Sequence, residues 1–492
     1  HLPNLKVLNL SRSEHLIRTP DFDGLPCLER IRLGGCVNLT DVHPSIGYHE
    51  RLIYVDMNYC INLTKFPPIK GMKKLETLIL SRCFQLCMFP EIQTNMDNMV
   101  ELSLDRTGIK VVPSSFEKYC TNLLSLDLGL CISLESIEGN FHHLKHLKKF
   151  SIARCKKLKI PPEGLFDVTC CLEVLDLSLT SFKNLHPGIV SMKFLGFPPC
   201  LRRLCLVSCN WINGDISSVR CELSNLQVLE LQRNDFSRLR CSLLQLYNRK
   251  FLNLSYCCDL VELPDLPSSI AVLLAFGCKK LKLVDLPTDL KWLWRISLPM
   301  NCISGDVDGR VQSMFQGNAI KDNSIILCFY VDNIPTRDFA RRRLMLELPR
   351  NWYNEFSGFL ICINVGGFFS RKYDEITIED VMGRENEDVL EVSDGTPKVI
   401  WREVYRCYIY ISCSSLRHTS WWKSTHTTIS FSIGSGTCIK VELVPRSKGD
   451  PIERVKHTTN SSEFWDREPI KITHDSKSCI KIKWHRNDSW TC

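Results

Sequence analysis

Three kinds of segment are missing from this sequence. It has no run of about 18 or more apolar residues, so we expect no membrane-spanning helix. It has no long run of like charge, and its net charge of +8 is small for 492 residues, so we expect no nucleic-acid partner. The chain does not begin with Met and has no signal-peptide pattern, so we expect it to be a piece of a longer protein.

The common motifs of catalytic and metal sites are also missing. There is no GxxxxGK[ST] phosphate loop, no HExxH zinc motif and no GxSxG nucleophile elbow. No CxxC occurs among the 26 cysteines, which argues against ordinary zinc modules. We therefore expect no enzyme activity in this chain, no cofactor and no metal ion.

The chain does contain an internal repeat. The form LxxLxL begins at twelve positions, at intervals of 21 to 29 residues. Counted from each start, offsets +3 and +5 are apolar and alternate with mostly polar residues, as in a short strand with one buried face. Offset +8 holds Ser, Thr, Asn or Cys, which completes the leucine-rich-repeat pattern LxxLxLxx(N/C)xL. The starts are Leu5, Leu28, Leu52, Leu75, Met99, Leu123, Leu147, Leu172, Leu201, Leu226, Arg249 and Ile270.

This repeat predicts a solenoid, because one unit buries little by itself and stacked units form a continuous core. We expect an α/β leucine-rich-repeat solenoid over residues 1–295, horseshoe-shaped, with a parallel β-sheet on its concave face. Repeats begin at the first residue, so we expect the polar N-terminal cap to lie upstream. Residues 296–322 are richer in Gly, Asn and Asp and predict a connector.

The remaining residues, 323–492, carry strand-like runs and no convincing helical period. Runs separated by turn-rich segments predict an all-β sandwich or jelly-roll-like domain. The predicted strands lie at 324–331, 342–348, 358–365, 373–379, 398–412, 427–433, 438–444 and 479–484.

The cysteines follow the repeat. Eight of them fill offset +8, namely Cys36, Cys60, Cys83, Cys131, Cys155, Cys209, Cys257 and Cys278. Neighbouring turns stack about 5 Å apart, which brings some thiols near disulfide range. However, the alternation with Ser, Thr and Asn indicates that the position needs only a small residue. We interpret the cysteines as buried thiols of a reduced, cytosolic repeat array and not as a disulfide framework.

Four local signals for metal, phosphate or nucleic acid have simpler interpretations. The histidines of 142–146 fit solvated positions on the outer side of a repeat, and the Gly-Ser-Gly of 434–436 fits a tight turn. The arginines of 341–343 fit a solvated strand edge. In the cysteine cluster of 200–209, Cys209 is a turn residue and Cys205 lies between two inward leucines, so their thiols face different ways.

The exposed face of the predicted sheet is the candidate binding surface. Offsets +1, +2, +4, +6 and +7 point away from the core, and repeat proteins bind partners on this face. Arg and Tyr often anchor protein interfaces, although acids and arginines on neighbouring strands can also pair with each other for solubility. The predicted protein-binding residues are Arg12, Tyr54, Asp56, Tyr59, Arg82, Arg106, Asp127, Arg154, Asp176, Glu230, Arg233 and Tyr256.

Segments of both halves resemble one family. The repeats at Leu75–Pro90 and Leu123–Leu134 are similar to those of plant TIR-NB-ARC-LRR disease resistance proteins of the tobacco-mosaic-virus-resistance type. The tail resembles the post-repeat jelly-roll domain of that family, called C-JID, through Ile334-Pro335, the segment Leu348–Asn354 and the segment Gly358–Cys362. The Ile-Pro-Trp-Phe segment expected in that domain is changed here to Ile-Pro-Thr-Arg-Asp-Phe, which puts the function of that loop in doubt.

The resemblance implies a non-catalytic recognition module. In the family, repeats and tail recognise a pathogen effector or a guarded host protein, which releases an upstream ADP-binding NB-ARC switch and triggers NAD⁺ cleavage by the TIR domain. The expected partners are therefore such a protein and the chain's own upstream NB-ARC and TIR domains. These domains are not within the 492 residues, so no residue here carries their activity. The implied location is the cytoplasm or the nucleus.

An extracellular repeat receptor that binds a peptide or a glycan is the alternative. Plant extracellular repeats favour Asn at offset +8 followed by Gly-x-Ile-Pro, which only Asn213–Ile216 approaches. Two of the sequons also fall in mid-strand on the concave face, where a glycan would obstruct binding. Six N-x-[ST] sequons support this alternative, at Asn9, Asn38, Asn62, Asn253, Asn460 and Asn487.

Overall fold

The structure is a computed structural model in which the chain divides into two compact units. The first comprises His1–Leu252 and Cys257–Pro267, and the second comprises Asn253–Tyr256 and Ser268–Cys492. The structure describes residues 2–165, 171–180, 200–209, 225–239, 243, 250–282, 295–299, 325–331, 343–349, 352–366, 373–380, 404–416, 427–433, 437–445, 470–476 and 479–485.

The first unit is a ladder of parallel three-residue strands, one in each repeat. Each strand covers offsets +2 to +4 and pairs with the next in constant register, as where Leu8 lies opposite Ile31 and Ile31 opposite Val55. The strands are β1 (Val7–Asn9), β2 (Arg30–Arg32), β3 (Tyr54–Asp56), β4 (Thr77–Ile79), β5 (Glu101–Ser103), β7 (Ser125–Asp127), β9 (Lys149–Ser151), β10 (Val174–Asp176), β11 (Arg203–Cys205) and β12 (Val228–Glu230). A further strand, β13 (Lys250–Asn253), lies at the boundary between the units.

Short elements connect these strands. Strands β6 (Val111–Val112) and β8 (Ser136–Ile137) form a separate parallel pair. Helix α1 (Ser115–Tyr119) and two 3-10 helices, Pro44–Tyr48 and Phe141–His143, are the helical segments that the structure describes in this unit.

The core of the first unit repeats with the sequence. In the second repeat, every apolar position of the pattern is fully buried, from offset 0 through +11. These residues are Leu28, Ile31, Leu33, Cys36 and Leu39. The leucine-rich-repeat solenoid predicted from the period is thereby confirmed.

A left-handed residue follows each repeat strand, at offset +7. Its N–H donates to the offset +6 carbonyl of the next repeat, as from Arg12 to Gly34 at 2.9 Å and from Arg82 to Asp105 at 2.7 Å. Left-handed backbone costs a non-glycine residue roughly 1–2 kcal/mol, and the hydrogen bond offsets part of this. All twelve positions have φ between 52° and 79°; they are Arg12, Gly35, Tyr59, Arg82, Arg106, Leu130, Arg154, Leu179, Ser208, Arg233, Tyr256 and Gly277.

The cysteines at offset +8 form a ladder of thiol hydrogen bonds. Each of the eight donates from Sγ to the offset +5 carbonyl of the preceding repeat, at 3.1 to 3.2 Å. Asn234 bridges the same two levels, with Nδ2 donating to Leu206 O and to Leu231 O, both at 2.8 Å. Offset +8 therefore holds a small hydrogen-bond donor, so the interpretation that it needs only a small residue was incomplete.

The second unit contains two β-sheets. The strands of the first are β14 (Ile270–Leu274), β15 (Arg295–Pro299), β16 (Ile325–Val331), β18 (Phe356–Gly366), β20 (Val404–Ser412) and β22 (Thr437–Pro445). In this sheet, β14, β15 and β16 are parallel, and β20, β18 and β22 continue it in antiparallel pairing. The second sheet is antiparallel in the order β17 (Arg343–Leu348), β21 (Thr427–Ile433), β19 (Tyr373–Asp380), β24 (Cys479–His485) and β23 (Ile470–Ser476).

Aromatic side chains join the two sheets of this unit. Phe359 of β18 lies 5.8 Å from Phe431 of β21 between ring centroids, and Trp352 lies 5.7 Å from Phe359. All three are buried. Trp352 belongs to helix α2 (Trp352–Glu355), and a 3-10 helix covers Cys413–Leu416. Two packed sheets agree with the predicted β-sandwich.

The second unit also differs from the sequence prediction in detail. Strand β23 was not predicted, and part of the predicted run 398–412 lies outside the described residues. Strand β15 continues the parallel pairing past residue 295, where the connector was predicted to begin, because its alternating apolar residues can extend the ladder. The domain limits 1–295 and 323–492 stay predictions.

Candidate protein-binding surface

Offsets +1, +2, +4, +6 and +7 of the repeats are here called the sheet face. At offset +4, its side chains change from exposed to buried along the first unit. At offset +4, Asn9 and Arg32 are exposed, and Asp56 and Asp127 are half-buried. Farther along, Asp176 is 4% exposed and Glu230 is 1% exposed. At offset +4 the side chains are therefore accessible in the first seven repeats. The binding roles predicted for Asp176 and Glu230 stay predictions, and both side chains are buried.

The five predicted arginines all lie at the left-handed position, and all are exposed. Arg12, Arg82 and Arg154 form no ion pair with any residue that the structure describes. Arg106 Nε lies 3.8 Å from Asp105 Oδ2, a long contact on the surface. Arg12, Arg82 and Arg154 are thus available to a partner, because no described acid pairs with them.

Tyr54 is held by two arginines that the repeat pattern did not single out. The guanidinium carbons of Arg30 and Arg32 lie 5.6 Å and 5.8 Å from the centre of its ring. Partial burial, with the nearby Asp56 carboxylate next, raises the pKa of the Tyr54 hydroxyl. Arg30 lies directly opposite Tyr54 in the strand register, so a cross-strand comparison of offset +2 could have found it.

The aspartates at offset +4 have a structural role that the repeat pattern did not predict. Each accepts a hydrogen bond on Oδ1 from the backbone N–H two residues later, and this turns the chain at the end of the strand. The distances are 2.9 Å for Asp56, 2.8 Å for Asp127 and 2.9 Å for Asp176. Desolvation is the largest influence on Asp127 and raises the pKa of its carboxyl.

Several other charged side chains pair across neighbouring strands. Lys6 pairs with Glu29 at 3.1 Å, and Lys148 pairs with Glu173 at 3.2 Å, all four at offset +1. Glu230 accepts from Arg203 Nη2 at 2.9 Å and from Gln232 Nε2 at 3.0 Å. Ion pairing for solubility therefore explains the charged side chains at offset +1. It does not explain Arg12, Arg82 and Arg154 at offset +7, which form no such pair with described residues.

The aromatic residues of the prediction lie in two places. Tyr59 is exposed at a left-handed position of the third repeat. Tyr256 belongs to the second unit, where its ring meets Phe276 edge-on with centroids 4.9 Å apart. Tyr59 and Tyr256 therefore belong to different units.

One serine–histidine–aspartate group occurs at the 3-10 helix Pro44–Tyr48. His43 Nδ1 lies 2.8 Å from Ser45 Oγ and 3.5 Å from Asp21 Oδ1. The same ring nitrogen faces both partners, so it cannot relay a proton between them as in a catalytic triad. Ser45 is buried and its Oγ accepts from the N–H of Phe22 at 2.9 Å. The group caps and anchors the helix.

The weaker sequence signals fall as follows. His142, His143 and His146 are exposed, whereas Cys205 and Cys209 are buried. The segments 434–436 and 341–342 lie outside the described residues. Within the described ranges, no three potential ligand residues are grouped for a metal ion, and no helix has the length and apolarity to cross a membrane.

No protein-family model matches the chain, but curated relatives do. The TMV resistance protein N of Nicotiana glutinosa is 32% identical over 400 residues, which cover 74% of this chain and 35% of that protein. The chain is similar to the C-terminal leucine-rich-repeat region of plant TIR–NB–LRR disease resistance proteins. Disease resistance-like protein DSC1 and disease resistance protein RPS4, both of Arabidopsis thaliana, are each 29% identical, over 71% and 58% of this chain.

The chain spans 20% to 35% of the length of these disease resistance proteins. Among solved structures, the crystal structure of the TLR13-ssRNA13 complex has a TM-score of 0.34 and 21% identity, over 63% of this chain and 51% of that chain. A likeness at this level carries no functional conclusion.

Three of the six sequons are engaged or buried in the fold, whereas Asn9 is exposed and accepts a local hydrogen bond from the N–H of Ser11 at 3.1 Å. Asn38 Nδ2 donates to Glu14 O at 2.8 Å, and Asn62 Nδ2 donates to Val37 O at 3.0 Å. The Asn253 side chain is fully buried. A glycan on Asn38 or Asn62 would compete with these inter-repeat bonds, and Asn253 is inaccessible to a glycosylating enzyme in the folded chain. Asn460 and Asn487 lie outside the described residues.

Proposed function

We propose that this chain is a non-catalytic recognition module of a plant immune receptor located in the cytoplasm or nucleus. It binds a pathogen effector or a guarded host protein and passes the signal to upstream NB-ARC and TIR domains. The observation that carries the proposal is the 32% identity to the TMV resistance protein N over 400 residues. The same relation supports the intracellular location.

The binding surface of the proposal is the sheet face of the first seven repeats, together with the β-sandwich. Arginines anchor interfaces because the planar guanidinium makes forked hydrogen bonds and covers apolar area. Arg12, Arg82 and Arg154 are exposed and form no ion pair within the described part of the chain. Such side chains gain a partner on binding without losing one.

A pull-down with the whole chain against a panel of pathogen effectors tests this proposal. The variant carries Arg82→Glu, Arg106→Glu and Arg154→Glu together, and we expect it to lose a partner that the original chain captures. The matched control reverses three exposed lysines off the sheet face, Lys65→Glu, Lys110→Glu and Lys159→Glu, and keeps binding. Unchanged capture by the arginine variant would refute the sheet-face proposal.

The intracellular location has its own test. The chain is expressed in plant cells and its electrophoretic mobility is compared with and without glycosidase. We expect no shift, because a chain in the cytoplasm or nucleus does not meet the enzymes that glycosylate sequons, so even the exposed Asn9 stays unmodified. A shift would support the extracellular alternative, a repeat ectodomain that binds a peptide or a glycan.

A further inference from the structure

An open depression of about 510 Å³ lies beside the carboxyl ends of the first strands. It spans the first five repeats, and its lining comes mainly from offsets +6 and +7. Arg12 lies at one end, and Arg82 and Asp105 lie at the other, with Asn58 and Tyr59 between them.

Two adjacent glycines explain the depression. Gly34 and Gly35 hold offsets +6 and +7 of the second repeat, so this level of the ladder has no side chains where its neighbours carry Arg12 and Tyr59. A Cβ atom on Gly34 would lie 3.0 Å from Asn58 Oδ1, and one on Gly35 would lie 3.3 Å from Arg12 Cγ. Side chains at these positions would therefore close the gap between Arg12 and Tyr59.

The polar groups at the two ends of the depression favour an anion. Arg12 and Arg82 are exposed and form no ion pair with described residues, and the left-handed backbone holds both at the same offset. Asp105 is the acidic residue among those that line the depression, and its Oδ2 lies 3.8 Å from Arg106 Nε. The exposed hydroxyphenyl ring of Tyr59 and the amide of Asn58 add hydrogen-bonding groups between the two arginines.

The spacing of the arginines limits the ligand. Arg12 and Arg82 are three strands apart, which is about 14 Å at roughly 4.8 Å per strand. An extended peptide rises about 3.3 Å per residue, so acidic residues at positions i and i+4 are about 13 Å apart. One carboxylate would then reach each guanidinium while the intervening residues cross the gap left by Gly34 and Gly35.

We propose that this depression binds an extended acidic segment of a protein partner, with carboxylates four residues apart on Arg12 and Arg82. This inference rests on the proposed recognition function and names the chemistry of part of the partner. The backbone of the segment crosses the repeats at Gly34 and Gly35, where the face has no side chains.

Fluorescence anisotropy of a labelled peptide tests the inference with the whole chain. The probe contains Asp-Ser-Gly-Ser-Asp, and the control peptides contain Asn-Ser-Gly-Ser-Asn and Asp-Asp-Ser-Gly-Ser. We expect the first peptide to bind most tightly and its binding to weaken as salt increases. Equal binding of the Asn peptide would overturn the proposal, and equal binding of the adjacent-Asp peptide would overturn the spacing.

Matched arginine variants locate the site. Arg12→Gln and Arg82→Gln are each expected to weaken binding by about tenfold, as for the loss of a charge-assisted pair. Lys65→Gln removes an exposed cation that lies off the sheet face and outside the depression, and it should leave the affinity unchanged. Equal losses in all three variants would show general charge attraction and overturn the site. Circular dichroism of each variant confirms that it is folded.

Two further results separate this inference from the recognition function. Inorganic phosphate is titrated as a competitor; binding of phosphate without binding of the acidic peptide would overturn the proposal. If the effector panel still yields a partner that ignores Arg12→Gln and Arg82→Gln, the acidic-segment proposal fails and the recognition function stands. If peptide binding is confirmed but no effector or host protein is captured, the recognition function fails instead.

Discussion

At the scale of single residues, the left-handed position after each strand shapes both stability and surface. Ten of its twelve occupants are not glycine, although glycine adopts this backbone at no steric cost. A long side chain here extends from the carboxyl edge of the sheet. The arginines at this offset therefore contribute exposed side chains to the surface and do not stabilise the repeat.

Substitutions at Arg82 separate these two roles. Arg82→Gly relieves the left-handed strain, so we expect the free energy of unfolding to stay the same or rise by up to about 1 kcal/mol. Arg82→Val places a β-branched residue at a φ of 61° and should lower it by about 1–2 kcal/mol. Urea denaturation measures both variants, and a stability order of Val above Gly would contradict the assignment.

The thiol hydrogen bond is a second residue-scale feature. Cys83 donates to Met57 O at 3.2 Å and is fully buried. Met57 O also accepts from the N–H of Cys60 at 3.3 Å, so Cys83→Ala removes one donor and leaves the carbonyl paired, which costs about 0.5–1.5 kcal/mol. Cys83→Thr keeps a hydrogen-bond donor, but by analogy with Thr107, whose Oγ1 donates to Leu104 O of its own repeat at 2.8 Å, the new donor would bond Leu80 O and not Met57 O. We expect Thr to be less destabilising than Ala in thermal unfolding, and the reverse order would argue that volume alone matters.

At the scale of the element, the stacked cysteines form one column with a common chemistry. Burial raises the pKa of Cys60, Cys209 and Cys257 to about 12 and that of Cys131 to about 11. The thiolate is the reactive form, so these thiols are inert in the folded chain. Their shared geometry is a hydrogen-bonded ladder, with no role in catalysis or metal binding required to explain it.

Thiol labelling at neutral pH checks this column. We expect a maleimide reagent to modify the exposed Cys87 and Cys258 in the native protein and to leave Cys60, Cys131 and Cys257 unmodified. Mass spectrometry of the digested protein identifies the labelled sites, and denatured protein provides the positive control. Rapid native labelling of the column would contradict its burial.

The raised pKa values also predict a pH dependence. Between the ordinary thiol pKa near 9.0 and the folded value of about 12, unfolded chains release protons that the native column retains. The stabilising contribution of these thiols to the free energy of unfolding is therefore fully present below about pH 9 and is lost as pH rises toward 12. A chain with Cys60→Thr and Cys257→Thr should show a smaller alkaline loss in urea midpoint than the original. Equal slopes in both chains would contradict the assignment.

At the scale of the whole molecule, two compact units have separate aromatic cores. Phe150 lies in the first unit, against Phe141 with centroids 5.0 Å apart, and Phe359 lies in the second, against Phe431. Both are almost completely buried. A partner-binding surface on the first seven repeats should therefore depend chiefly on the core of the first unit.

Two core substitutions test this division. Phe150→Ala and Phe359→Ala should each lower the stability of their own unit by about 3–5 kcal/mol, since each leaves a large cavity. Hydrogen–deuterium exchange shows where protection is lost, and we expect the losses near 125–165 for Phe150→Ala and in strands β18 and β21 for Phe359→Ala. Identical exchange patterns in the two variants would contradict separate cores.

Much of the fold was predictable because the signals are local and repeated. The period of 21 to 29 residues and the apolar offsets determine that each repeat buries the same positions against its neighbours, and the observed register follows from this. Strand β23 was missed because its alternation is interrupted by polar residues at His474–Ser476, where the pairing also shifts. The glycines at offset +7, Gly35 and Gly277, were the sequence signal from which the left-handed backbone at this offset could have been predicted.

The sequence by itself determined the repeat, the buried cysteine column and the set of side chains on the sheet face. Only the tertiary structure decided which of them a partner could reach, since exposure depends on residues far apart in the chain. It buries Glu230 beside Arg203, engages Tyr54 with Arg30 and Arg32, and leaves Arg12 and Arg82 at either end of a depression. Periodicity places a side chain on a face, whereas the contacts of neighbouring repeats decide whether it is open to a ligand.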